Sequence, residues 1–199
     1  MRRDLEIIAA LIKPGARVLD LGCGSGELLH HLAQEKGVNG YGVEKDAAAI
    51  SACVAAGVNV IEHDLDDGLA RFPDSSFDMV VMTETLQAVA EPSRLIDEML
   101  RIGDECVVTF PNFGHWRCRA QLATSGRMPV ARHLPHDWYS TPNIHLCTFR
   151  DFELLVNEKG LPIIERFVVN GDQEFQAHIN RFPNLFGTTA FYRLGRAPL

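Results

Sequence analysis

Glycine stands at every second position of Gly22-Cys23-Gly24-Ser25-Gly26, and Asp20 lies two residues ahead of the first. Such spacing lets the backbone take positive φ and lets a ligand lie flat against it without meeting a Cβ. Two further acids recur downstream, Glu44 at 22 residues past Gly22 and then Asp64, which is followed by Leu65. An acid at the distance of Glu44 can accept both hydroxyls of a ribose. A carboxylate at Asp64, with the backbone N–H of Leu65, can accept from an adenine amino group and donate to the ring. A pyrophosphate is held by G-x-G-x-x-G at a helix N-terminus. Here the third glycine comes one residue early, and Asp20 would repel phosphate while suiting a ligand end that carries an ammonium.

The elements that must position these residues follow from periodicity and breakers. Asp4 to Ile12 reads as a leading helix stopped by Pro14-Gly15. The apolar run Val18 to Leu21 reads as a buried strand turning sharply at the glycines into a helix over Glu27 to Lys36, with Gly37 in the place of a C-cap. Gly40 to Glu44 is a second strand, Asp46 to Ala56 a helix, and Val58 to Glu62 a third strand. Phe77 to Met82 is a fourth strand, running on into Thr83-Glu84-Thr85, Pro92 to Arg101 a helix, and Cys106 to Phe110 a fifth strand. This alternation predicts an α/β fold, a doubly wound, mostly parallel sheet with helices on both faces. In such a sheet the ligand crevice lies beyond the carboxyl ends of the strands, where Asp20, Glu44 and Asp64 all fall.

A ligand with an ammonium, a ribose and an adenine but no phosphate is S-adenosylmethionine (SAM) or S-adenosylhomocysteine. The D-x-G-x-G-x-G stretch resembles the first motif of class I SAM-dependent methyltransferases. A nicotinamide dinucleotide would satisfy Glu44 equally well; Asp64 favours SAM. The cofactor-binding set is therefore Asp20, Gly22, Gly24, Gly26, Glu44, Asp64, Leu65 and Thr83. No catalytic residue stands out. Methyl transfer from an activated sulfonium needs positioning and, for poor nucleophiles, a base. The [DN]-P-P-[FYW] grip of many amino-group methyltransferases is missing, and Phe110-Pro111-Asn112-Phe113 echoes it on the wrong strand.

After Phe110 the rhythm breaks. From Pro111 to Cys147 the chain carries four prolines, both tryptophans and four histidines, with a short helix around Trp116 to Ala123. Long irregular stretches of this kind are usually lids or binding loops, so residues 1–199 read as one domain with an irregular lid or docking insertion at about 111–148. His115, His133, His136, His145 and Tyr139 are its possible bases. His133-x-x-His136 has ligand-like spacing, and His145 and Cys147 could complete a site, but no carboxylate cluster accompanies them and no metal is expected. A helix at Phe149 to Glu158 and strands at Ile163 to Val169 and Thr189 to Leu194 close the chain, while Gly171 to Gly187 has no evident place.

Composition sets limits. With 19 basic and 26 acidic residues the formal charge is -7, which argues against general affinity for nucleic acid or anionic membrane. No stretch approaches the roughly 20 apolar residues of a membrane span, and the N-terminus is no signal peptide. A cytoplasmic protein is expected. Five cysteines without a C-x-x-C pair suggest small apolar fillers rather than disulfides, Cys23 included.

The irregular loop carries a more specific likeness. Phe110-Pro111-Asn112-Phe113-Gly114-His115-Trp116, Gly126-Arg127-Met128-Pro129, Leu134-Pro135-His136-Asp137-Trp138-Tyr139 and Thr141 to Thr148, with Val18 to Leu28, Phe77-Asp78 and Thr85-Leu86-Gln87, resemble the MetW family of methionine-biosynthesis proteins over nearly the whole chain. His136 departs from it, standing where an aromatic residue is expected. The resemblance implies a class I methyltransferase-like fold, a SAM-type site at Gly22, Gly24, Gly26 and Glu44, and a role beside homoserine O-acyltransferase. Two functions follow: a subunit that binds SAM or S-adenosylhomocysteine and regulates that acyltransferase, or a SAM-dependent methyltransferase of a small acceptor admitted under the loop.

Overall fold

Val18, Leu19 and Leu21 are fully buried, and so are Val80, Val81 and Met82 of a neighbouring strand. Strands this apolar on both faces need cover on both, which helices between parallel strands supply. The computed structural model describes residues 3–169 and 181–196 and shows this arrangement. Strands β1 (Arg17–Leu21), β2 (Asn39–Glu44), β3 (Asn59–Glu62), β4 (Phe77–Thr83) and β5 (Gly103–Pro111) pair in parallel. The last two, β6 (Ile163–Val169) and β7 (Thr189–Gly195), complete a seven-stranded sheet of order β3-β2-β1-β4-β5-β7-β6, in which β7 runs antiparallel to both its neighbours. The chain winds outward from β1 through β2 and β3, then restarts at β4 on the other side. The reversal opens a crevice above β1 and β4.

Strand alternation divides the core. Leu19, Leu21, Val80, Met82, Val108, Phe110 and Tyr192 pack on one face against α4 (Pro92–Ile102) and α6 (Phe149–Glu158). Val18, Met79, Val81, Val107 and Phe191 pack on the other against α1 (Arg3–Leu11) and α2 (Glu27–Lys36). Helix α3 (Ala47–Ala55) contributes Cys53 to this second face. On the first face Phe110 stacks on Tyr192 at a ring separation of 6.0 Å, and Phe152 lies 4.6 Å from the same tyrosine ring.

Most elements fall where periodicity puts them. Strand β5 begins earlier than its apolar run because Gly103 and Glu105 register with Phe77 and Met79 of β4, and Arg193 of β7 donates to Glu105 at 2.6 Å. Paired polar residues extend a strand that hydropathy alone would start at Cys106. Helix α5 (Trp116–Ser125) lies inside the irregular loop, and a short helix α7 (Pro183–Phe186) precedes β7. Of the unassigned stretch Gly171 to Gly187, residues 171–180 lie outside the described residues. Among the described residues no helix is long and apolar enough to cross a membrane.

Candidate functional site at the carboxyl ends of the strands

Each glycine of the turn is required for a different reason. Gly22, Gly24 and Gly26 have φ of 72°, 55° and 76°, a region L side chains rarely occupy. A Cβ on Gly22 would fall 2.5 Å from Thr85 Oγ1, and one on Gly26 would meet Cys53 Sγ at 3.0 Å, so these two let the segment after β4 and helix α3 close on the turn. A Cβ on Gly24 would meet no protein atom within 4 Å. Space is open only over the central glycine, as a cradle for a ligand requires. The N–H groups of Gly22 and Cys23 donate to Val43 O at 2.8 and 3.1 Å and tie the turn to β2.

Glu44 ends β2 and reaches back to the same turn. Its Oε2 accepts the Gly24 N–H at 2.9 Å, and Oε1 accepts the N–H groups of Lys45 and Asp46 at 2.8 and 3.0 Å. A carboxylate has about four acceptor sites, so three backbone donors fix its orientation and leave capacity for a ligand hydroxyl. Asp64 caps the 3₁₀ turn Leu65–Asp67: Oδ1 accepts the Asp66 N–H at 3.1 Å and Oδ2 accepts Lys45 Nζ at 3.0 Å. The Asp66 amide first, and the Lys45 ammonium second, hold the Asp64 carboxyl below the usual aspartate value. Gly22, Glu44, Lys45, Asp64, Leu65 and Thr85 line a cavity of about 80 Å³.

Asp20 is 2% exposed, beneath the turn, in register with Gly42 and Val81. Burial, and then the Asp20 carboxylate, push the Cys23 thiol far up, so this cysteine is kept protonated and is no nucleophile. Thr83 ends β4 half-buried, its carbonyl accepting the Thr85 hydroxyl at 3.0 Å. Glu84, next in line, has φ of 54°, a strained value for a side chain with a Cβ. Its N–H donates to Thr109 O and Oγ1 at 3.0 and 3.1 Å, which holds it there. The structure thus brings Gly22, Glu44, Asp64 and Leu65 to one cavity, ties Gly24 to it through Glu44, turns Gly26 toward α3, and leaves Asp20, buried in β1, and Thr83 outside the lining. Lys45, Thr85 and Glu84 escape sequence reasoning because nothing in a lysine, threonine or glutamate marks such a position.

The irregular loop is anchored at this crevice. Gln87 is buried on the 3₁₀ turn Leu86–Ala88; its side-chain Nε2 donates to Pro111 O at 3.1 Å, and its backbone carbonyl accepts the N–H groups of Ile144 and His145. Farther out, Phe113, Met128, Leu134, Trp138, Ile144 and Leu146 line a second cavity of about 310 Å³. Trp138 and Tyr139 are 74% and 72% exposed. His133, His136, His145 and Cys147, whose spacing is ligand-like though no metal is expected of them, do not come together: His145 Nε2 bonds to Ala90 O at 3.2 Å, and His136 lines the larger cavity. His133 instead meets His115 and Cys118.

Comparison with known proteins gives a consistent picture. Residues 2–194 match the family model described as "Methionine biosynthesis protein MetW". The bifunctional methionine biosynthesis protein MetXA/MetW of Rhodopirellula baltica is 36% identical over 97% of this chain and 33% of its own length. A ubiquinone biosynthesis O-methyltransferase of Hahella chejuensis is 33% identical over 45% of this chain and 39% of its own. The matches thus span only a third to two fifths of these relatives' own length. In fold it is similar to an S-adenosylmethionine-dependent methyltransferase from Mesorhizobium loti, with a TM-score of 0.70, 21% identity and 96% coverage of both chains.

Proposed function

The chain belongs to the MetW family of methionine biosynthesis proteins, and on that premise we propose that it is an accessory subunit of homoserine O-acyltransferase that binds SAM or S-adenosylhomocysteine. The fold is that of SAM-dependent methyltransferases. Support for the ligand comes from the open space over Gly24 beside a fixed Glu44 and a strand-end Asp64. In this reading Glu44 would accept from the ribose hydroxyls, Asp64 and the Leu65 N–H would take the adenine, and buried Asp20 would attract the ammonium end. Gly22, Gly24, Gly26 and Thr83 would form the floor. Residues 1–199 act as one domain, with 111–148 as a lid or docking insertion, and the assignment carries a cytoplasmic location with it.

The observation that carries the partner is the Rhodopirellula relative, which joins a MetXA part and a MetW part in one chain. We take the MetXA part as the acyltransferase. A subunit of this kind shifts its partner only through differential affinity for the partner's states. Adding this protein to purified homoserine O-acyltransferase should raise acyl transfer saturably, with a plateau near stoichiometric binding and no turnover of methyl donor. Acyl transfer that ignores it at every ratio, alongside methyl-labelled product from a cell extract, would assign it instead as a SAM-dependent methyltransferase. That second reading has its own support in the match to the Hahella O-methyltransferase.

A further inference from the structure

His115 caps the N-terminus of α5, Cys118 lies on its first turn, and His133 arrives 15 residues later from the Ala131–Leu134 bridge. One ligand atom of each lies within 4.8 Å of the others. His115 and Cys118 are buried, and Cys118 Sγ stands 3.8 Å from His133 Nε2. Sulfur and nitrogen ligands at zinc distances on a tetrahedral centre are about 3.6 Å apart. From this geometry we propose that His115, Cys118 and His133 form a binding site for a zinc-class divalent cation that pins the irregular loop to the top of the sheet. It is independent of the SAM reading.

The donor set, two imidazoles and a thiol, suits zinc rather than magnesium or calcium, which take oxygen. The existing hydrogen bonds permit the change. His133 Nε2 lies 3.2 Å from the Asn112 carbonyl, an acceptor only, so it carries the ring proton. On coordination that proton moves to Nδ1, the Cys118 thiol loses its proton to solvent, and the imidazoles give lone pairs. His115 Nδ1 accepts the Arg117 N–H at 3.3 Å, a long bond that coordination would rearrange at small cost. The fourth position falls to water or a neighbouring oxygen. Closing residues 118 to 133 with a metal would restrain a stretch that otherwise has one helix and one bridge.

The test is to strip the full-length protein with chelator and titrate it with Zn²⁺ and Co²⁺. One equivalent should bind, the cobalt form showing tetrahedral visible bands and a thiolate-to-cobalt charge-transfer band. Cys118→Ser should lose that band, and Cys147→Ser and His136→Gln should keep it. Loss of a direct ligand in His133→Gln should weaken zinc more than the roughly 10-fold seen when even an outer-shell partner is lost. No charge-transfer band in the wild type, or one that survives Cys118→Ser, would overturn the site. Should Cys118→Ser fail to fold, His133→Gln decides: unchanged zinc affinity refutes the proposal, weakened affinity upholds it.

Discussion

Gly24 combines a φ of 55° with open space above it, so strain and obstruction can be told apart there. Gly24→Val places a branched Cβ in the left-handed region at a cost of about 1–2 kcal/mol and projects it into the cradle. We expect a modest loss of stability and complete loss of SAM or S-adenosylhomocysteine binding by calorimetry; binding that survives would place the ligand elsewhere. In the unaltered protein, ligand at 100 times its Kd should stabilise the fold by about 2.7 kcal/mol. At Glu44, Gln keeps one acceptor oxygen and introduces a donor facing backbone N–H groups. With hydrogen bonds to a charged group worth about 1.5–3 kcal/mol, Glu44→Gln should weaken the ligand by roughly 10- to 100-fold, read in the same titration. The glycines and strand-end acids are legible in the sequence because their meaning is local, a turn that must bend and a carboxylate that must follow a strand. Lys45 on Asp64, Thr85 against Gly22 and the strained Glu84 arise from contacts between separate strands. Periodicity within one segment does not report those.

Among the elements, the loop over 111–148 presents the sharpest contrast between ordered attachment and exposed apolar surface. Gln87 secures it to the crevice, while Trp138 and Tyr139 stand 74% and 72% exposed, ring against ring at 5.7 Å. Aromatic residues of this kind dominate interface energetics. If the proposed acyltransferase partner docks here, Trp138→Ala should weaken that association by more than about 1 kcal/mol while leaving Tm nearly unchanged; a large fall in Tm with unaltered association would show that the ring packs internally. At the opposite end of the sheet, Arg17 clamps β1 to β4 through Asp78, with N–H to Oδ2 at 2.8 Å and Nη2 to Oδ1 at 2.7 Å. The guanidinium and then the Arg17 amide hold the Asp78 carboxyl below the ordinary 3.8. Its stabilisation is therefore full above that value and fades as pH falls through the lowered native one. The pair is half-exposed, so Asp78→Asn should cost only about 0.2–1 kcal/mol near neutral pH and should flatten the acid limb of a pH-dependent melting series. Strands and helices were readable one by one from apolar spacing, glycine and proline. The meeting of His115, Cys118 and His133 was not, because spacing singles out His133-x-x-His136 while the chain path between Cys118 and His133 decides which imidazole comes home.

For the molecule as a whole, ligand and partner are coupled if both bind one state better than another. By linkage, the factor by which the acyltransferase changes SAM or S-adenosylhomocysteine affinity must equal the factor by which that ligand changes acyltransferase affinity. Titrating the ligand with and without partner, and the partner with and without ligand, checks this; unequal factors would break the two-site scheme. The fused Rhodopirellula relative suggests a companion measurement. Joining two modules makes their encounter intramolecular, with effective concentrations in the mM range for short linkers. Acyl transfer by separate chains should fall on dilution, whereas a single-chain fusion should hold its activity.

The position of β7 also bears on how the chain is made. Thr189–Gly195 is the last of the described strands in sequence but lies between β5 and β6, so neither can find its final neighbour until those residues have left the ribosome. Phe77 to Pro111 can pair during synthesis and wait with the β5 edge open, and that edge carries the apolar run Cys106-Val107-Val108. An open apolar edge is a template for other nascent chains. The hazardous interval in this protein's life is therefore the time taken to translate the roughly eighty residues between Pro111 and Gly195, and slow codons within that stretch should cost soluble yield more than slow codons ahead of Phe77.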